Sequence, residues 1–119
     1  MTPTNRMHVK ILIFLLGLFM AFASQANDDL SMVQTGSQIQ EVRNLLIKRG
    51  WSPIKNLKIA NSSLYAQEIY EQGLIEVKDC ISMELDACWF EYTKAKQRLK
   101  IKTITRQFTV DSYNVVNKL

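Results

Sequence analysis

Two cysteines, a short acidic group and a row of basic residues are the side chains whose types and spacing could do chemistry. Cys80 and Cys88 are the chain's two cysteines, with seven residues between them. A redox-active pair favours Cys-x-x-Cys at a helix start, where the dipole lowers a thiol pKa. Seven intervening residues make no such site. The pair is therefore expected to close a structural disulfide in an oxidising compartment, stabilising by roughly 2 to 3 kcal/mol on the chain-entropy account. Asp79, Glu84 and Asp86 surround that loop. Calcium loops need denser oxygen ligands and a turn glycine, and glycoside cleavage needs two carboxyls held at a set separation. Neither pattern is written here. No metal and no catalytic residue is expected, and the loop reads as a solvated, disulfide-anchored finger of a kind that suits a partner's cleft.

The stretch KAKQRLKIK, residues 94–102, sets a basic side chain at every second position. Residues two apart share one face of a strand. With residues 94–97 taken as a turn, Arg98, Lys100 and Lys102 form the row while Leu99 and Ile101 turn to a core. That spacing offers neither the fork of a dedicated phosphate site nor a glycine-rich cradle. It reads first as a solvated sheet face, with Glu91 and Glu76 as cross-strand partners contributing about 0.2 to 1 kcal/mol each, and with lysines discouraging edge pairing. The functional alternative is a patch that speeds encounter with an acidic partner. Trp89 shares the side of Glu91, which places an aromatic anchor beside the row.

The chain opens with Arg6 and Lys10 ahead of and beside an uncharged apolar run at residues 11–23, followed by small and polar residues. This is the layout of a cleaved export signal. The run falls short of the ~20 apolar residues of a membrane span, and no cysteine stands directly after it for lipid attachment. Residues 1–26 are expected to be a signal peptide, 27–36 a flexible leader and 37–119 one domain, periplasmic or secreted, with no stable membrane anchor after cleavage. An uncleaved anchor is the competing reading. Without the signal, 13 basic residues face 11 acidic ones, a net charge of +2, which argues for no nucleic-acid partner. The single histidine, His8, lies in the signal. The mature chain can therefore run neither a Ser/His nor a Cys/His nucleophile and lacks the commonest transition-metal ligand. Neither an enzyme nor a cofactor is expected.

Elements to hold these residues can be read from the periods. Ile39, Val42, Leu45 and Leu46 recur at helical spacing after Ser37, with Gln40 as its capping-box partner, and Gly50 stops a helix of about thirteen residues. Pro53 biases Ser52 to extended backbone, and Trp51 folds back over the helix end. Residues 54–60 are open between strand and loop. Caps at Asn61, Ser62 and Ser63 start a second helix that Gly73 ends, with Leu64, Tyr65 and Ile69 apolar. From Leu74 the period is two: Ile75 and Val77 oppose Glu76 and Lys78, and Cys88, Phe90 and Tyr92 oppose Trp89, Glu91 and Thr93. The two runs form a hairpin under the disulfide. Cys80 has the parity of Glu76 rather than Val77, which a bulge or an early strand end near Asp79 reconciles. A third strand over 98–104 and a fourth through Phe108 and Val110, then a turn at Asp111 and Ser112, give an α+β fold: two N-terminal helices packed on a three- to four-stranded antiparallel sheet.

That order of elements resembles the helix-helix-sheet fold shared by the beta-lactamase inhibitor protein and small outer-membrane assembly lipoproteins. The runs RGWSP, VKDC, ACWFEY and LKIKT are similar to those of a group of small exported bacterial proteins. The resemblance covers residues 37–105 and implies protein–protein binding, with no functional residue carried over. The lipoproteins' lipid-attachment cysteine is missing here. The expected function is a non-enzymatic, exported protein-binding module, an inhibitor or immunity-type partner of an envelope enzyme, with Trp89, Glu84, Asp86, Arg98, Lys100 and Lys102 as contact residues. The alternative is a binder of anionic envelope material, lipid phosphate or acidic polysaccharide.

Overall fold

The computed structural model describes residues 30–83 and 85–117, so the expected export signal and Glu84 lie outside the described residues. Helix α1 (Ile39–Lys48) buries Ile39, Val42 and Leu46, positions spaced to share one side of a 3.6-residue helix. The Ser37/Gln40 capping box does not form; the cap is Gln38, with no side-chain bond. The Ser37 carbonyl instead accepts the Val110 amide at 2.7 Å, and Gln40 Nε2 donates to Asn44 Oδ1 at 3.5 Å. Docking of the entering chain on the sheet has replaced the local cap, and the helix is shorter for it. Leu45 stands 42% exposed, outside the buried stripe. Gly50, at φ +92, makes the left-handed stop. Trp51 then folds back as expected, buried, with its amide donating to the Leu46 carbonyl at 3.0 Å.

Strand β1 (Ser52–Pro53) is two residues long and pairs with Thr93 and Tyr92. A 3-10 turn at Ile59–Asn61 precedes helix α2 (Leu64–Glu71). Ser63 caps α2 by accepting the Ala66 amide at 3.2 Å. Ala66 and Ile69 are its buried residues, whereas Leu64 is 78% exposed. The helices thus occupy residues 39–71 rather than the N-terminus, and the sheet has five strands rather than three or four.

The remaining strands are β2 (Val77–Ile81), β3 (Ala87–Lys94), β4 (Gln97–Ile104) and β5 (Thr109–Asn117). Every pairing is antiparallel, and β3 is central, with β4 along one side and both β1 and β2 along the other. The register passes from Val77↔Phe90 to Asp79↔Trp89, leaving Lys78 as the extra residue of a bulge. Of the two resolutions the cysteine parity left open, a bulge and an early strand end, the bulge is the one present: it returns Cys80 to the buried side beside Cys88. A second shift at Lys102/Thr103 leaves Asp111 extra, so β5 continues through the position where a turn was expected.

Phe90, Tyr92, Leu99, Ile101, Thr103 and Val110 line the buried side of the sheet, each at most 1% exposed. Both helices lie on this side. Arg43 of α1 reaches Glu76 and through it Tyr92, and Tyr65 of α2 stacks on Phe108, which meets Phe90 edge-on. Burying a large apolar side chain contributes about 1.5 to 3 kcal/mol, so this layer carries most of the driving force. The end of the expected leader joins it: Val33 is buried and the Gly36 amide donates to the Val110 carbonyl at 2.8 Å.

Candidate partner-binding surfaces

The other face of the sheet gathers the row as its alternation required. Trp89 pairs with Lys102, Glu91 with Lys100 and Thr93 with Arg98, and β4 continues the layer to Ser112, Asn114 and Val116. Glu91 sits 7% exposed between Arg98, at 3.9 Å, and Lys100, at 3.6 Å. Lys102 faces Asp111 at 3.7 Å. Each basic head therefore has an acid beside it, and long, half-exposed pairs of this kind contribute well under 1 kcal/mol. Trp89 is half-buried and lines a shallow cleft of ≈ 160 Å³ with Lys100, Lys102, Ser112 and Asn114. The structure brings Trp89, Arg98, Lys100 and Lys102 together on one face and leaves Asp86 elsewhere.

Asp86 belongs to the tip of the β2–β3 hairpin. The Cys80–Cys88 disulfide joins residues paired directly across the two strands, and residues 82–86 connect them. At the tip Ile81, Met83 and Leu85 are 48%, 71% and 54% exposed. The sequence reading named the acids Asp79, Glu84 and Asp86 and not these three, although apolar residues at alternate positions in a cystine-closed loop are visible in ISMELD. The tip is braced from the neighbouring β4–β5 turn. The Thr105 amide donates to the Leu85 carbonyl at 2.7 Å, and Arg106 Nε lies 3.6 Å from Asp86 Oδ2. The same guanidinium covers the Tyr65 ring at 4.5 Å. Burial raises the Tyr65 hydroxyl pKa, against the opposing pull of Arg106. Asp86, Thr105 and Phe108 all take positive φ, at 49°, 64° and 56°. A β-branched or aromatic residue there costs about 1 to 3 kcal/mol and persists only where its surroundings enforce it. Leu85 and Asp86 are thus held against Thr105 and Arg106.

Asp79 does not join this loop. Its Oδ1 accepts the Ser63 amide at 3.0 Å and the Cys80 amide at 2.8 Å, and the Ser63 bond chiefly holds its pKa below the usual value. The acid thus ties the start of α2 to β2.

Glu76 also departs from expectation. Residues 74–77 form a turn in which the Val77 amide donates to the Leu74 carbonyl at 3.2 Å, so strand alternation begins only after Glu76. Its carboxylate is swung into the core instead of toward the basic row. Oε2 accepts from Arg43 Nε and from the Tyr92 hydroxyl, both at 2.7 Å, while Oε1 has no hydrogen-bond partner among the described residues. Burial, and then the Glu76 charge, push the Tyr92 hydroxyl pKa well above its ordinary value. The Glu76 side chain is 0% exposed, and through Arg43 and Tyr92 it ties α1 to β3. Among the described residues, no group of three or more His, Cys, Asp or Glu could hold a metal ion, and no helix is long and apolar enough to cross a membrane. No protein-family model, no curated protein and no solved structure matches the chain.

Proposed function

We propose that the chain is a non-enzymatic, exported protein-binding module, working in the periplasm or outside the cell, whose contact surface is the hairpin tip. The observation that carries the reading is the exposure of Ile81, Met83 and Leu85 on a loop closed by a disulfide and braced by the β4–β5 turn. Exposed apolar side chains release free energy when a partner covers them, roughly 25 cal/mol for each Å² removed from water. Leu85 and Asp86, already held by the neighbouring turn, lose little further freedom on binding. An exposed apolar loop held at Leu85 and Asp86 fits a concave protein site, which favours an inhibitor or immunity-type partner of an envelope enzyme.

The test is binding by the purified chain to a single partner isolated from an envelope extract, repeated with Met83→Asp and Leu85→Asp. Both substitutions are expected to weaken binding at least tenfold, about 1.4 kcal/mol, with the fold and disulfide intact. Binding that ignores both, or the absence of any protein partner, defeats the reading. The Trp89 cleft with Lys100 and Lys102 supports a second reading, a site for lipid phosphate or acidic polysaccharide. It is weaker because Glu91 and Asp111 already stand beside those ammonium groups. Affinity that falls steeply with salt and with Lys100→Glu would favour it instead.

A further inference from the structure

Among the described residues β5 pairs only with β4, so its other side is an edge of the sheet. The first part of that edge is covered. Gln38 bridges Thr109, Ser37 and Gly36 bond the amide and carbonyl of Val110, and Thr35 Oγ1 donates to the Asp111 carbonyl at 3.2 Å. Along residues 112–117 no described strand or bridge takes the open side.

Edge strands are normally guarded by a charge, a proline, a bulge or shortness. Ser112-Tyr113-Asn114-Val115-Val116-Asn117 contains neither a charged residue nor a proline, and the bulge lies before it, at Asp111. The basic row, which the sequence offered as the guard, sits on β4, an internal strand with β3 and β5 on its two sides. The edge itself is uncharged and carries an exposed apolar residue on each face. Tyr113, opposite Ile101 on the helix side, is 43% exposed, and Val116, opposite Arg98 on the outer side, is 50% exposed.

We propose that residues 112–116 of β5 are a pairing edge for β5 of a second copy of this chain, antiparallel across a two-fold axis. A two-fold axis makes a segment its own partner, and an uncharged segment meets its copy without repulsion. Side chains keep to their own faces only if the axis passes through a residue. Centred on Asn114, it sets Tyr113 opposite Val115 on the helix side and Ser112 opposite Val116 on the outer side, so an aromatic–β-branched pair forms on either side of the axis. The surface is separate from the hairpin tip, and either can hold without the other.

Sedimentation velocity of the purified exported chain, from about 1 μM to about 1 mM, reads the proposal. The expected result is twice the single-chain mass at the upper end, with amide exchange at 112–116 slowing as concentration rises. Tyr113→Lys combined with Val116→Lys is expected to weaken self-association at least tenfold while the far-ultraviolet dichroism and the disulfide stay unchanged. Met83→Lys is expected to leave it unaltered. A single-chain mass throughout, or a dimer indifferent to the paired lysines, overturns the proposal. So does concentration-independent protection of 112–116 that vanishes when whatever residues the exported chain keeps ahead of Leu30 are removed, since the chain's own leading segment would then hold the edge.

Discussion

Replacing Arg43 by methionine would remove the cation from Glu76 while keeping most of the side chain's volume. Removing one partner of a buried ion pair costs about 3 to 5 kcal/mol, because the other charge is left without compensation. The Arg43 side chain is 20% exposed and the Tyr92 hydroxyl still donates to Glu76, which sets the expectation at the low end, about 3 kcal/mol. For a domain of this size that is a large part of a total of about 5 to 10 kcal/mol, and a fall of roughly 12 to 24 °C in Tm. Urea unfolding followed by tryptophan fluorescence measures it, since Trp51 is buried; the midpoint should drop with an unchanged m-value. Adding Glu76→Met and Tyr92→Phe removes every polar atom of the group, and most of the loss should return. A single variant within about 0.5 kcal/mol of the parent, or a triple variant no better than the single, refutes this reading of the group.

Reduction, or Cys80→Ala with Cys88→Ala, should cost about 2 to 4 kcal/mol by chemical denaturation and loosen the tip, seen as faster amide exchange at residues 82–86. Asp79→Asn removes a carboxylate whose pKa is lowered on folding. Its contribution is complete above the unfolded pKa and disappears as pH falls through the lowered folded one. The variant should lose about 0.5 kcal/mol at pH 7, a low figure because the group is open to solvent, and converge with the parent as pH drops below about 4. Ala95→Gly, at a turn position with φ 51, should gain about 0.5 to 1 kcal/mol in the same assay.

Local signals served the sequence reading well. Ser63 as a cap, the glycine stops at Gly50 and Gly73, the alternation of β3 and β4 and the bulge before Cys80 each depend on a few neighbouring residues, and each is present. What failed was set by distant parts of the chain. Ser37 gave up its cap because β5, more than seventy positions later, takes its carbonyl. Glu76 left the strand pattern because Arg43 and Tyr92 offer it partners inside the core. The guarding role assigned to the lysines depended on strand order, which alternation does not encode. At the surfaces, the outer-face residues were legible from parity alone. The apolar tip was written in the sequence too, but its exposure results from bracing by Thr105 and Arg106, a contact between two turns.

The central claim is that the hairpin tip meets a partner protein. A photoreactive residue placed at Met83 tests it most directly, with one at Leu57, 86% exposed in the segment between β1 and the 3-10 turn, as the comparison. Illumination of living cells is expected to join the Met83 form to one discrete protein and to leave the Leu57 form unjoined. Equal labelling from both positions, or labelling from Leu57 alone, would contradict it.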